Sequence, residues 1–120
     1  MQSGGKPNDL GARTVDYGLA AMELCGTFPQ GLAARLIAGQ LVRAATSVAA
    51  NYAEATDAES REDFIHKMKV ALKELKESRV WLMFASRLPG SPDTARLLSE
   101  SRELTLIFGK SVNTASQGRG

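Results

Sequence analysis

The sequence is poor in the residues on which small metal proteins and thiol enzymes depend. Its 120 residues include one cysteine, Cys25, and one histidine, His66. A lone cysteine excludes an intrachain disulfide, a zinc ribbon and a paired-thiol redox site. The sequence also lacks the Glu-x-x-His pair with which helical bundles hold a di-iron centre. We therefore expect no metal, no cofactor and no catalytic centre.

Excess charge and long apolar runs are also missing. The 15 basic and 13 acidic residues leave a net charge of +2, too little to imply nucleic acid unless the basic residues cluster on one face. No run approaches the ~18 apolar residues of a membrane span. The first residues, MQSGGKPND, lack the apolar core of a signal peptide. A soluble, cytoplasmic protein without membrane contact is expected.

Alanine and leucine dominate the apolar residues, whereas aromatic residues make up only 6% of the chain. This composition favours helices over strands, and the length suits one domain. The spacing predicts a first helix over Leu10 to about Cys25 and a second over about Leu32 to Ala55. A third follows the capping box Ser60-Arg-Glu-Asp63 and continues to about Leu88. A fourth begins with Ser91 as N-cap and Pro92 in its first turn.

Each segment carries apolar residues at intervals of three and four, which predicts the face that it buries. In chain order the stripes are Ala12, Val15, Leu19 and Met22; Ile37, Leu41, Ala44, Val48 and Tyr52; Phe64, Met68, Ala71, Leu75 and Leu82; and Leu97, Leu98, Ser101, Leu104 and Phe108. Gly18 inside the first helix suggests a close helix–helix approach. Short loops make successive helices antiparallel neighbours, so we predict an all-α, up-down-up-down four-helix bundle over 9–113. Flexible segments are expected at 1–8 and 114–120.

Lysines on the third helix are the first candidate binding residues: Lys67, Lys69, Lys73 and Lys76. Lys69, Lys73 and Lys76 follow one face, with Lys67 nearby, and such a row could contact phosphates without sequence preference. The alternative is an ordinary solvated face, because Glu62, Asp63, Glu74 and Glu77 interleave with them in the sequence.

Two further sets lie on the central helices. Arg43, Ser47 and Asn51 follow one another at intervals of four, and this ridge is interpreted as a hydrogen-bond network that sets helix register or as a ligand or subunit contact. Trp81, Met83 and Phe84 make the end of the third helix apolar nearly all round, which is typical of deep burial or of a partner contact. His66, among lysines, is expected at the surface or rim, and Cys25 as a small buried apolar residue.

Three segments carry a family resemblance: QLVRAATSVAANYAEA, AESREDFIHKMKVALKELKES and the following WL. They resemble bacterial four-helix-bundle proteins related to those encoded by intervening sequences within 23S ribosomal RNA genes, which are sometimes labelled S23 ribosomal proteins. The matching positions are Gln40, Leu41, Arg43, Ser47, Asn51, Glu54, Phe64, Ile65 and Lys67. The chain departs from the pattern at Ala45 and Ala49, where relatives often have glycine. It departs again at 75–79, which is more basic than expected.

The resemblance implies a ring-like homo-oligomer, with a pentamer as its expected size. It extends distantly to the accessory protein of diversity-generating retroelements, a basic pentameric barrel that binds a reverse transcriptase and nucleic acid. No catalytic residues are established for the family, so none are carried over. The first hypothesis is thus a non-enzymatic, oligomeric binding or scaffold protein that contacts RNA or a nucleic-acid enzyme. The alternative is a purely structural or protein-interaction module, and an enzyme is a distant third.

Overall fold

Four α-helices make up the part of the chain that the computed structural model describes, residues 9–118. They are α1 (Leu10–Cys25), α2 (Leu32–Thr56), α3 (Arg61–Ser86) and α4 (Ala95–Ser116). The described residues contain no strand, so the predicted all-α class is confirmed. The predicted lead-in at 1–8 lies outside them.

Side-chain caps define two of the helix starts. The Asp9 carboxylate accepts a hydrogen bond from the Ala12 backbone N–H at 3.0 Å and begins α1. The Ser60 hydroxyl accepts one from the Asp63 N–H at 3.0 Å and begins α3. Each oxygen satisfies a first-turn donor that has no partner inside the helix. The predicted capping-box start of α3 is confirmed.

The start of α4 differs from the prediction. Ser91 is not an N-cap, because it has a left-handed backbone (φ 47°) and follows Gly90 at φ 87°. Its N–H bonds the Leu88 carbonyl at 2.9 Å, so it extends the turn that closes α3. The helix begins four residues later, at Ala95, with Thr94 as N-cap. At its other end α4 continues to Ser116, beyond the predicted bundle limit at 113.

Packing follows chain order. The contact between α2 and α3 is the most extensive, α1 packs on α2, α4 packs on α3, and α1 and α4 touch only slightly. The molecule measures 50 × 30 × 19 Å, about two helix diameters in its thinnest direction. The predicted antiparallel bundle of sequential neighbours is confirmed.

The core is formed by the stripes predicted for α2, α3 and α4. Leu41, Val48, Leu75, Leu104 and Phe108 are completely buried. Alanines 44, 45 and 71 are also fully buried. These small side chains allow the α2 and α3 backbones to approach closely, as the alanine-rich stripe suggested.

The face predicted for α1 is wrong. Val15, Leu19 and Met22 lie about half exposed on the outside, whereas the buried residues are Thr14, Tyr17, Gly18, Ala21 and Leu24. Both sets follow helical spacing, so periodicity alone could not separate them. The bundle buries the set that contains Gly18, because the missing side chain lets α1 approach α2 closely. A β-carbon on Gly18 would lie 3.3 Å from the Thr46 methyl group. The close approach suggested for Gly18 is confirmed.

Tyr17 makes a buried polar contact across the core. Its hydroxyl lies 2.7 Å from Ser78 Oγ, and Ser78 uses its own proton on the Leu75 carbonyl at 2.7 Å. Because a serine hydroxyl has one proton, Tyr17 is the donor. Burial raises the pKa of Tyr17, and the hydrogen bond to Ser78 opposes this. The neutral phenol is therefore the form that the fold holds.

Replacing Tyr17 with phenylalanine should lower the free energy of unfolding by about 1 kcal/mol near neutral pH, because Ser78 loses its donor. The folded-state pKa lies above the unfolded value. The stabilisation that Tyr17 provides as a neutral, hydrogen-bonded phenol is therefore present below about pH 10 and is lost as the pH rises further. Urea unfolding at neutral and alkaline pH should show a smaller alkaline loss for Tyr17→Phe than for the wild type. Tyr52→Phe is the matched control, because the Tyr52 hydroxyl makes no hydrogen bond within residues 9–118; equal alkaline losses in all three proteins would contradict the prediction.

Candidate binding surface

Three of the predicted lysines share the outer side of α3. Lys69, Lys73 and Lys76 are all exposed and lie at intervals of four and three, so they form one row of about 10 Å. Within the described residues no carboxylate lies within 4.0 Å of their ammonium groups. We call these three residues the lysine face.

Lys67 does not belong to the lysine face. Its Nζ donates to Glu54 Oε1 on α2 at 2.8 Å, and this hydrogen bond raises the pKa of Lys67. Two positions separate Lys67 from Lys69, which turns the two side chains about 200° apart on a helix. Lys67 therefore lies beside the face of Lys69, Lys73 and Lys76 rather than on it, and nucleic-acid contact by these lysines stays a prediction.

Of the acidic residues that interleave with the lysines in the sequence, Glu74 and Glu77 turn toward α2, whereas Glu62 is exposed seven residues before Lys69 on the same side of α3. Arg43 on α2 forms ion pairs with both Glu74, at 3.3 Å, and Glu77. Glu77 also accepts a hydrogen bond from Trp81 Nε1 at 3.0 Å. Because these carboxylates face α2, they do not neutralise the lysine face.

The predicted ridge on α2 is divided between two kinds of contact. Arg43 joins α2 to α3 through its ion pairs. Asn51 instead donates its side-chain amide to the Ser47 carbonyl at 2.9 Å, one turn earlier in its own helix. Ser47 and Asn51 are half-buried. Arg43 thus makes the cross-helix contact, and Asn51 stabilises its own helix.

The residues predicted for the apolar end of α3 differ in their burial. Trp81 is half-buried and packs against the core, while Met83 and Phe84 are 54% and 55% exposed. Val80, which the sequence prediction omitted, is exposed beside them. With Ser86 and Arg87 these residues line a shallow groove of about 330 Å³. We call Val80, Met83 and Phe84 the α3 patch.

The lysine face and the α3 patch form one continuous outer surface. Lys69, Lys73, Lys76, Val80 and Arg87 are spaced by four, three, four and seven residues, which keeps them on one side of the helix. The same spacing places His66 there, exposed and without a hydrogen bond to any described residue. The signal was present in the sequence as a helical period that passes from lysines to apolar residues.

The remaining titratable candidates are dispersed. Cys25 is half-buried, and burial raises the pKa of its thiol, which favours the unreactive protonated form. Across 9–118 no three His, Cys, Asp or Glu side chains come together in a way that could hold a metal ion. None of the four helices is long and apolar enough to cross a membrane.

Comparison with known proteins agrees with this architecture. The model of the 23S rRNA-intervening sequence protein family matches residues 11–107. The chain belongs to this family. The match spans α1 from its second residue, all of α2 and α3, and more than half of α4, so it includes the lysine face, the α2 ridge and the α3 patch.

A solved structure shows the same fold. It is a protein with unknown function from the S23 ribosomal protein family of Bacteroides thetaiotaomicron, with a TM-score of 0.74 and 24% sequence identity. The alignment covers 85% of this chain and 96% of that one. No curated protein matches the chain. These comparisons establish the family and the fold of the chain, and its function is inferred from its surfaces.

Proposed function

We propose that this protein is a non-enzymatic, oligomeric binding module that contacts RNA or a comparable polyanion through its lysine face. One observation carries the proposal. The ion pairs of Arg43 hold Glu74 and Glu77 against α2, and Lys69, Lys73 and Lys76 are exposed with no carboxylate within 4.0 Å of their ammonium groups in the described chain. Unpaired surface ammonium groups in a row suit a phosphate backbone, whose binding releases counterions.

Assembly would multiply a modest charge. One chain carries a net charge of +2, and a homopentamer would carry about +10, with repeated lysine faces around a ring. Several weak contacts that act together raise the affinity far above that of one. The cytoplasm suits such a partner and also a lone thiol. The exposed His66, which has no hydrogen-bonded carboxylate among the described residues, supports the non-enzymatic part of the proposal.

The test is binding of fluorescently labelled single-stranded and duplex RNA across a salt series. Lys69→Gln with Lys73→Gln should reduce the slope of log K against log salt by about 1.5–2 per protomer and weaken binding at least about tenfold at ~50 mM salt. The matched control is Arg35→Gln with Lys110→Gln, which removes the same charge at exposed positions on α2 and α4. The control should keep the wild-type slope.

Two results would refute the RNA proposal. One is an absence of binding by the wild type at ~50 mM salt, where phosphate contacts are strongest. The other is an equal loss in the lysine-face variant and its control, which would indicate only a net-charge effect.

The α3 patch supports a second candidate function, a protein-interaction module. Large apolar side chains that are more than half exposed in one group mark contact surfaces, and Met83 and Phe84 meet this description. In that case Phe84→Ala would abolish partner binding, and the lysine-face variant would leave it intact. Phe84 is a better probe than Trp81, whose indole also packs against the core and binds Glu77.

A further inference from the structure

The more apolar face of α1 points away from the core of its own chain. Val15 and Leu19 are each 51% exposed and Met22 is 46% exposed. They border a groove of about 170 Å³ whose α2 wall is formed by the uncharged residues Thr46 and Ala49. We call Val15, Leu19 and Met22 the α1 patch. Burial of such a stripe in another subunit would remove a substantial apolar area from water.

The α1 patch has an acidic rim. Asp16 and Glu23 are exposed and lie seven residues apart, on the side of the helix that carries the patch. The one basic residue of α1, Arg13, faces elsewhere. It binds Glu100 of α4 through two hydrogen bonds of 2.7 and 3.0 Å and reaches Glu103 at 3.1 Å. The outer side of α1 therefore presents apolar groups with two carboxylates and no cation.

The α3 patch has the opposite rim. Lys76 precedes Val80, Met83 and Phe84 and Arg87 follows them, both exposed. The nearest acidic residue, Glu77, is paired with Arg43 and accepts a hydrogen bond from Trp81, and the α3 sequence from Ser78 to Ser86 contains no other. The two patches are thus alike in their apolar content and opposite in charge; the α1 patch spans about two helical turns and the α3 patch about one.

We infer that the α1 patch of one copy of this chain docks on the α3 patch of the next copy. The inference rests on the proposed oligomeric state and names its contact. Asp16 and Glu23, about 10 Å apart along α1, would lie between Lys76 and Arg87, about 16 Å apart along α3, whose long side chains can reach inward. Lys76 would then serve the subunit contact, while Lys69 and Lys73 of the lysine face would remain free for RNA. Electrostatic complementarity of this kind sets orientation and excludes wrong pairings.

Symmetric contacts of either patch with itself, and a contact through α4, are weaker alternatives. A symmetric contact between two α1 patches would bring four carboxylates together, and one between two α3 patches would bring four cations together. The outer side of α4 offers a single large apolar side chain, Leu106, beside Arg102 and Lys110. A contact between two different surfaces is head-to-tail, and such contacts close into rings when the rotation between copies permits.

Charge reversal tests the pairing. Asp16→Lys with Glu23→Lys and, separately, Lys76→Glu with Arg87→Glu should each raise the dissociation constant of the assembly at least about tenfold, because like charges then meet across the contact. The chain that carries all four changes should recover the wild-type mass, since its charges are complementary again. An equimolar mixture of the two double variants should also associate. Light scattering gives the masses, and thermal unfolding checks that every variant remains folded.

Each remaining outcome counts against the inference in a distinct way. An oligomeric wild type whose mass survives either double reversal would place the contact elsewhere and leave the proposed oligomer standing. Failure of the fourfold variant to reassociate would refute the pairing of these charges. A wild type that is monomeric at ~100 µM would refute both the contact and the oligomeric state. The salt slope that depends on Lys69 and Lys73 is measured separately, so the RNA proposal can survive any of these results.

Discussion

Replacing Phe108 with alanine should lower the free energy of unfolding by about 3–5 kcal/mol. Phe108 is completely buried in α4, and its ring lies 5.6 Å from the ring of Tyr52 on α2. It therefore connects the last helix to a central one. Truncation removes this contact and leaves a cavity that packed backbones can close only in part. Urea unfolding monitored by helical circular dichroism would measure the loss.

Leu106→Ala is the control for this prediction. Leu106 lies two residues earlier in the same helix and is 74% exposed, so its truncation should change stability by no more than about 0.5 kcal/mol. It also leaves the proposed α1–α3 contact untouched, and the mass of the assembly should not change. Equal destabilisation by the two substitutions would contradict the burial described for α4.

Replacing Gly18 with leucine should destabilise the protein by about 1–3 kcal/mol and displace α1 from α2. A β-carbon at this position would lie 3.3 Å from the Thr46 methyl group and 3.4 Å from the Thr46 Cα. The second of these atoms is backbone, so α2 cannot yield by a rotamer change. The expected result is lower stability together with weaker self-association, because the α1 patch moves with its helix. Unfolding and light scattering on the same samples would show both effects.

Gly18→Ala separates crowding from helix propensity. Alanine gains about 1 kcal/mol of propensity over glycine in a helix interior, while its methyl group meets Thr46 at a slightly short distance. The two effects oppose each other, so the net change should remain within about 1 kcal/mol. A strongly stabilising Gly18→Ala would show that α1 has room at this point, and it would remove the reason for the buried face that the bundle selects.

Most of the fold could be predicted from local patterns. The stripes of α2, α3 and α4 were correct because each has one face that is clearly more apolar than the others, and burial follows apolar area. The start of α3 was correct because Ser60 and Asp63 make a cap within four residues. The start of α4 was missed because Pro92 suits a first turn and a loop equally well. Gly90 is a usual residue for a left-handed backbone, but the same conformation at Ser91, which extends the loop, has no strong sequence signal.

The candidate site could be predicted only in part. The sequence names Lys69, Lys73 and Lys76, yet the same stretch contains Glu74 and Glu77, and whether they neutralise the lysines depends on the position of Arg43 on another helix. A salt bridge between helices is a long-range contact that no local spacing reveals. The same holds for Lys67, which Glu54 draws toward α2.

The sequence by itself determined the class, the number of helices and the family, because caps, breakers and apolar periods act within a few residues. The tertiary structure decided which face of α1 is buried and which charges remain unpaired. Val15, Leu19 and Met22 satisfy the helical period as well as the buried set does, and tertiary contacts separate the two sets: the close approach of Gly18 to Thr46 and the hydrogen bond of Tyr17 with Ser78. The local sequence does not specify which face of α1 is buried, because that depends on the shape of the neighbouring helix. The α1 patch is exposed because of that choice, whereas the lysine face stays unpaired because Arg43 holds Glu74 and Glu77 against α2.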